Sequence, residues 1–154
     1  MAMTSSSEPR HVVTCFLRRK DARGEDAILI LRRSGRVGTY QGRWAGVSGY
    51  LEGDDPLAQA FVEIAEETGL AADDVTLVKA GEPLPVDDRA RGLRWVVHPF
   101  LFDVTTEKPP ALDWESTEAR WIAPQEIAGY ETVPMLKEAL ACRVSGDVVD
   151  LGLR

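Results

Sequence analysis

Residues 49–70 read GYLEGDDPLAQAFVEIAEETGL and contain the clearest helix signal in the chain. Asp54 or Asp55 can cap a helix that has Pro56 at its first position. Gly69 is a suitable residue to end that helix. At about 100° per residue, four apolar side chains share one helical face: Leu57, Ala60, Phe61 and Ile64. The spacing therefore predicts an amphipathic helix over 56–69.

Three glutamates form a second face of this helix: Glu63, Glu66 and Glu67. Like charges one turn apart repel by a few tenths of a kcal/mol per pair. The C-terminal end of a helix also disfavours anions, so a merely solvated polar face is a costly arrangement here. Small residues such as Ser48 and Gly49 precede the helix and let the backbone approach closely. This combination favours a carboxylate cluster that suits Mg²⁺ or Mn²⁺.

The same stretch resembles the Nudix box, written G-x5-E-x7-R-E-U-x-E-E-x-G-U, where U is a bulky aliphatic residue. The run EIAEETGL over 63–70 matches every specified position after the arginine. The flanking segments Gly42-Arg43-Trp44 and EARWIAPQEI over 118–127 are similar to the family as well. The resemblance covers roughly residues 11 to 130.

This resemblance implies an α/β/α sandwich around a mixed β-sheet in a single domain. It implies a Nudix-type pyrophosphohydrolase that acts on acid anhydrides, with Mg²⁺ as cofactor and Mn²⁺ as a substitute. The substrate would be a nucleoside diphosphate derivative or a related organic pyrophosphate. By position, Glu63, Glu66 and Glu67 would ligate the metal, together with a backbone carbonyl at Ser48. Glu66 or Glu67 would also orient or deprotonate the attacking water.

The box departs from the family pattern at two places. Val62 stands where the family has an arginine that orients the acids, and valine cannot form hydrogen bonds. Counting back from the intact half places Ser48 and Asp54 at the glycine and first glutamate positions. A loop one residue shorter instead keeps Gly49 and Glu52 in those roles, and we favour this alignment. Both departures favour the alternative function, a catalytically weak or inactive Nudix-fold module that binds a nucleotide or a protein partner.

Basic and aromatic residues near the glycine-rich loop are candidates for substrate binding. Arg33, Arg36 and Arg43 offer planar donors to phosphates, with a solvated basic loop as the equal alternative. Tyr40 is a candidate for stacking on a base. Specificity would lie in three loops outside the box, which do not name the substrate: 34–42, 81–92 and 105–114.

Two further acids, Glu115 and Glu118, follow the break at Pro109 and Pro110. Folds related to this one often supply an extra acid from such a loop. Glu118 is our candidate for that acid, although capping and surface roles are commoner for a residue of this kind.

The order of the remaining elements predicts a mixed α/β fold. Apolar, β-branched runs predict strands over 11–17, 26–32, 75–80, 93–104 and 119–122, with an extended piece over 44–50. A turn is expected over 85–92, a short helix over 124–127 and a final amphipathic helix over 133–144. Strands and helices do not alternate strictly, which disfavours a doubly wound sheet. We expect one Nudix-type domain over 11–144, between a disordered tail over 1–10 and a C-terminal tail over 145–154.

Length and composition restrict the function classes further. A chain of 154 residues with 44% hydrophobic and 28% charged residues is typical of one globular domain. A net charge of -7 disfavours a nucleic-acid polymer as partner, and no apolar run approaches the ~20 residues that cross a bilayer. Residues 1–10 do not look like a secretory signal, and Cys15 and Cys142 are expected to be buried free thiols. We therefore expect a cytoplasmic enzyme for a small phosphorylated substrate, with a homodimer left open.

Overall fold

The computed structural model describes residues 8–141. Eight strands and two helices are labelled in chain order: β1 Arg10–Lys20, β2 Asp26–Arg33, β3 Trp44–Ala45, β4 Val47–Tyr50, α1 Pro56–Thr68, β5 Val75–Ala80, β6 Leu84–Asp88, β7 Leu93–Val104, β8 Ser116–Ile122 and α2 Leu136–Ala139. Short 3-10 turns cover Ala72–Asp74, Arg89–Arg91 and Pro124–Gly129. The expected tails over 1–10 and 145–154 lie almost entirely outside the described residues, and so does Cys142.

All eight strands form one mixed sheet in the order β3-β2-β1-β7-β5, with β4 on β1, β6 on β7 and β8 on β2. The pairing of β1 with β7 is parallel, and the other named pairs are antiparallel. Strands β1 and β2 pair as an antiparallel hairpin, in which Arg18 lies opposite Ile28. The predicted mixed α/β fold is therefore confirmed.

The core has one layer on each face of the sheet. Val13, Cys15 and Leu17 of β1 point to the face that α1 covers, while Phe16 points to the opposite face. This alternation follows from the two-residue period of a strand. The predicted apolar face of α1 is confirmed, because Ala60 and Ile64 are buried in the first layer and Leu57 and Phe61 pack against it. Leu136, Ala139 and Leu140, at and just after α2, join the second layer.

The turn predicted over 85–92 is wrong in its first half. Leu84–Asp88 is a strand that pairs with β7, and only Arg89–Arg91 turns the chain. Leu84 and Val86 are buried while Pro85 and Asp87 are exposed, which is strand periodicity. Among the described strands β6 pairs with β7 alone, and an edge strand tolerates proline. Pro85 and the two aspartates of this segment are uncommon in strands, so the sequence favoured a turn here.

The final helix predicted over 133–144 begins later than expected. Val133 donates its backbone N–H to the Trp44 carbonyl at 3.0 Å, so this residue extends beside β3 instead of starting a helix. Met135 has a φ of 66°, which no helix interior adopts. Helix α2 therefore starts at Leu136, and the expected continuation beyond residue 141 lies outside the described residues. No helix within residues 8–141 has the length and apolar character needed to span a membrane.

Candidate active site

Local sequence signals fix both ends of α1. Asp55 accepts backbone hydrogen bonds from Leu57 at 3.1 Å and Ala58 at 3.2 Å, and Pro56 occupies the first turn. These bonds satisfy donors that a helix start would otherwise leave unpaired. Gly69 ends the helix with a φ of 74°, a left-handed conformation that favours glycine. The predicted caps at Asp55 and Gly69 are thus confirmed, and they set the register of every acid on the helix.

The three box glutamates do not share one environment. The side chains of Glu63 and Glu67 are buried, with 7% and 5% exposure, although each is a carboxyl group. Glu66 is exposed and lines a cavity beside the helix. Carboxyl groups are rarely buried without a partner, so these two buried acids need hydrogen bonds, a proton or a cation to compensate their burial.

Strand β4 approaches α1 closely at Gly49. A Cβ atom built at this position would overlap the carboxyl group of Glu63, so only glycine leaves room for that side chain. The neighbouring Ser48 is half-buried in the cavity wall, and its hydroxyl lies 3.2 Å from that of Thr14. This close approach supports the shortened-loop alignment, in which Gly49 is the box glycine.

A third acid joins the pair from a distant part of the chain. Single carboxylate oxygens of Glu63, Glu67 and Glu115 all lie within 4.8 Å of one another. The backbone of Glu115 is held by Ser34, whose N–H donates to its carbonyl at 2.8 Å, and by Asp113, whose carboxylate accepts its N–H at 3.0 Å. The loop before β8 is also tied to the end of α1, because Ala111 donates to the Thr68 carbonyl at 2.8 Å.

The structure thus brings together Glu63, Glu67 and Glu115, whereas sequence reasoning favoured Glu118 as the extra acid. Glu118 lies on β8 and forms ion pairs with Arg32 at 3.5 Å and Arg120 at 3.0 Å, away from the cluster. Glu115, three positions earlier, lies beside the acids of α1 because the loop before β8 is hydrogen-bonded to Ser34 and to the end of α1. No local pattern in the sequence distinguishes the two acids, since the anchoring contacts are long-range.

Burial and like charge perturb all three acids. Burial, the charge of Glu115 and the interaction with Glu63 raise the pKa of Glu67 to about 10. Burial also raises the pKa of Glu63, against the effect of hydrogen bonds from Gln59 and Glu67. Burial and the charge of Asp113 raise the pKa of Glu115. In the protein without metal, Glu67 therefore retains its proton at neutral pH.

A divalent cation fits this cluster. Oε2 of Glu67 is buried and has no hydrogen-bond partner among the described residues. An unpaired buried carboxylate oxygen is costly unless a proton or a cation compensates it. Oxygen donors from three carboxylates are the ligands that Mg²⁺ and Mn²⁺ prefer. Glu63, Glu67 and Glu115 are thus the residues that could hold such an ion.

We expect the metal-free protein to lose stability as pH rises from about 7 to 9. Across this window folded Glu67 keeps its proton, with a pKa of about 10, while the unfolded chain releases it near the usual 4.5. The unfolded state then binds fewer protons, so the free energy of unfolding falls, by up to about 1.4 kcal/mol per pH unit for one proton. Urea unfolding in EDTA at each pH measures the slope. A flat or rising profile would contradict the retained proton, and Glu67→Gln should flatten it.

The cluster lies in the wall of a cavity of about 600 Å³. Its charged lining residues are Arg33, Glu52, Glu63, Glu66, Asp113 and Glu115. Its apolar lining residues include Val12, Val86, Trp95, Val97, Leu136 and Ala139. A lining that combines ionic and apolar side chains is typical of sites for small organic ligands with a charged group.

The predicted substrate-binding residues occupy different positions around this cavity. Arg33 and Tyr40 line it, and the guanidinium of Arg33 donates to the Thr39 carbonyl at 2.9 Å. The Tyr40 hydroxyl donates to Asp88 at 2.6 Å, which ties the glycine-rich loop to β6. Arg36 and Arg43 lie next to aromatic rings at its edge, 5.5 Å from the centre of Trp114 and 5.8 Å from that of Tyr40. Trp114 also lines the cavity and is more than half exposed.

A family model described as the NUDIX domain matches residues 8–141 of this chain. The chain belongs to the Nudix family. This membership confirms the resemblance that the box residues suggested, and it supports the prediction of a pyrophosphohydrolase acting on acid anhydrides.

Solved Nudix structures share this fold. RenU, a Nudix hydrolase from M. smegmatis, is 22% identical with a TM-score of 0.72, covering 86% of this chain and 82% of its own. The Ap4A hydrolase of C. elegans is 19% identical with a TM-score of 0.72, covering 85% and 92%. The Nudix domain of Shewanella oneidensis NrtR, solved with ADP ribose, is 10% identical with a TM-score of 0.71, covering 86% and 84%. At these identities the likeness concerns the fold.

At the arginine position of the Nudix box this chain has Val62. Val62 is 45% exposed on α1 and has no polar atom in its side chain. Gln59 instead supplies a hydrogen bond to Glu63, because its Nε2 donates to Oε2 of Glu63 at 2.8 Å. The first half of the box is therefore altered, whereas the buried acids keep a defined geometry.

Proposed function

We propose that this protein is a Mg²⁺-dependent pyrophosphohydrolase that cleaves the diphosphate linkage of a nucleoside diphosphate derivative or a related organic pyrophosphate. The observation that carries the proposal is the set of three carboxylate oxygens within 4.8 Å of one another. Two of the three acids, Glu63 and Glu115, face a cavity large enough for a nucleotide-sized ligand. Burial and mutual repulsion make such a cluster costly, and a bound cation would offset that cost.

Glu63, Glu67 and Glu115 would hold the ion, and a backbone carbonyl at Ser48 stays the predicted fourth ligand. A bound Mg²⁺ supplies charge compensation for the diphosphate and lowers the pKa of a coordinated water. Arg33 adds a planar donor at the same wall. Its guanidinium carries five N–H donors, of which the Thr39 carbonyl and hydroxyl accept two.

We assign proton transfer to Glu66, one of the two residues that the box predicted for this role. Its carboxylate lines the cavity and stands outside the cluster of three oxygens, so it is placed to meet a water molecule. The oxygen of that water bonds to phosphorus while the bridging phosphorus–oxygen bond breaks. The water proton passes to Glu66, and the bridging oxygen leaves with one of two phosphorylated fragments.

The organic part of the substrate would lie against the apolar and aromatic residues that line the cavity. Trp95 and Tyr40 line the interior, and Trp114 presents an exposed indole at its edge. Aromatic faces of this kind stack on planar rings. Proteins with this fold include an Ap4A hydrolase, a Nudix domain that binds ADP ribose and the E. coli dihydroneopterin triphosphate pyrophosphohydrolase. Ap4A, ADP-ribose and dihydroneopterin triphosphate are therefore the first substrates to test.

The test combines metal binding with turnover. Calorimetry with Mg²⁺ and Mn²⁺ is followed by chromatography of product mixtures from those three compounds, a sugar nucleotide and an oxidised nucleoside triphosphate. We expect micromolar to millimolar metal binding and hydrolysis of at least one compound, abolished by EDTA. Glu118→Gln is the matched control, because that acid lies outside the cluster and should change neither result.

The outcomes separate the two functions considered. Metal binding without turnover of any compound would favour the binding module that Val62 and the altered loop suggested. Absence of metal binding would overturn the proposal altogether, since the cluster would then have no cation to compensate its charge.

A further inference from the structure

Gln59 is a buried polar side chain on the same helical face as two of the clustered acids. It is 7% exposed and lies one turn before Glu63, which in turn lies one turn before Glu67. Its Nε2 donates to Oε2 of Glu63 at 2.8 Å. Its Oε1 accepts the backbone N–H of Glu52 at 3.1 Å. One amide therefore connects the box loop, the helix and an acid of the cluster.

The two bonds of Gln59 restrain the direction of the Glu63 carboxylate. A glutamate has three side-chain torsions, and Gly49, which lies directly against the Glu63 carboxyl group, has no side chain that could hydrogen-bond to it. The Gln59 amide is fixed at its own oxygen by the Glu52 backbone, so its N–H group has a defined direction. The direction of Glu63 Oε2 is then defined in turn, before any ligand binds.

Val62 cannot supply this restraint. Its side chain has no hydrogen-bond donor and is 45% exposed on α1. The amide of Gln59 instead donates to Glu63 from one turn earlier on the same helix.

We propose that Gln59 is the positioning residue for Glu63 in this chain, and that it replaces the arginine missing at position 62. The inference rests on the proposed function, because it assigns to Glu63 a role in holding a divalent ion. Gln59 itself touches neither metal nor substrate in this scheme. Its effect is to set the direction of the Glu63 carboxylate.

The test measures Mn²⁺ affinity of the full chain by calorimetry for Gln59→Leu and Gln59→Met. Both variants keep the approximate volume and lose both hydrogen bonds. Loss of a residue that orients a metal ligand weakens affinity by about 10- to 100-fold, and we expect that range here. Gln41→Leu is the matched control, because it also loses one amide bond, to the Val37 carbonyl at 2.8 Å, outside the cluster.

A rescue experiment separates positioning from a structural role. Val62→Arg added to Gln59→Met introduces a donor at the position where the family carries arginine, and we expect it to recover at least part of the Mn²⁺ affinity. Thermal unfolding in EDTA reports folding of each variant independently, and the Met variant covers the case in which the Leu variant misfolds.

Three results would overturn the proposal, and they can be distinguished. Wild-type Mn²⁺ affinity in Gln59→Met would show that Gln59 only packs the helix, while the proposed function would stand. Loss of affinity that Val62→Arg leaves wholly unrepaired would likewise reject the replacement. Absence of Mn²⁺ binding by the wild-type protein would instead reject the proposed function, and this inference with it.

Discussion

Replacing Glu67 by glutamine should weaken metal binding strongly and reduce turnover severely while the protein stays folded. Glu67 is buried, its Oε2 has no partner among residues 8–141, and it lies within 4.8 Å of acid oxygens from Glu63 and Glu115. An amide cannot supply the negative charge that a dication requires. We expect kcat/KM to fall about 10²- to 10³-fold, equivalent to about 3 to 4 kcal/mol of transition-state stabilisation.

The matched comparison is Glu66→Gln, one residue away on the same helix. Glu66 faces the cavity outside the cluster, so its variant should keep nearly normal Mn²⁺ affinity and lose kcat by about 10²- to 10⁴-fold. Calorimetry and steady-state kinetics on both variants distinguish a ligand from a proton acceptor. Unchanged turnover in Glu67→Gln, or equal loss of metal affinity in both variants, would show that these roles are assigned wrongly.

Glu67→Gln should also stabilise the metal-free protein above neutral pH. The wild-type carboxyl retains a proton that the unfolded chain would release, and this difference costs stability as pH rises. A neutral amide has no such cost. The variant therefore loses function and gains stability, which is the behaviour expected when a strained group is kept for a ligand.

Gly49→Ala should also lower activity strongly, through the position of Glu63. The added methyl would overlap the carboxyl group of Glu63, and this group is the end of a side chain that can move away. The fold should therefore persist, while Glu63 leaves its position beside Glu67. A displacement of about 1 Å at a reacting centre can cost on the order of 10²-fold in rate, and we expect kcat/KM to fall by that amount.

Alanine substitutions at two other glycines serve as controls for Gly49→Ala. At Gly53 a Cβ would meet nothing within 4 Å, so Gly53→Ala should leave activity and stability nearly unchanged. At Gly46 a Cβ would lie 2.9 Å from the Cys15 carbonyl oxygen, which is backbone and cannot move alone, so Gly46→Ala should lower the melting temperature. If Gly49→Ala resembled Gly53→Ala in kcat/KM and Mn²⁺ affinity, the close approach of β4 would have no functional importance.

The two departures from the Nudix box are compatible with an active enzyme in this geometry. The shortened loop keeps Gly49 against Glu63, and the Glu52 N–H is bonded to Gln59. The Gln59 amide donates to Glu63 where Val62 cannot. The altered first half of the box therefore still restrains one of the clustered acids, although by other side chains than the family pattern predicts.

Local patterns determined much of this protein from the sequence alone. The caps at Asp55 and Gly69 and the apolar face of α1 follow from contacts within a few residues, which a sequence displays directly. Strands β5 and β7 have the predicted bounds because apolar and β-branched residues outnumber the other residues in both. Strand β6 was missed because three of its five residues are Pro85 and two aspartates, which disfavour a strand.

Only the tertiary structure decided which acids converge. Helical spacing places Glu63, Glu66 and Glu67 on one side of α1, but packing against β4 buries two of them and leaves Glu66 at the cavity. Glu115 joins the cluster because the loop before β8 is bonded to Ser34 and to the end of α1. Periodicity is a property of neighbouring residues, whereas a cluster depends on contacts between segments far apart in the chain, which no local pattern records.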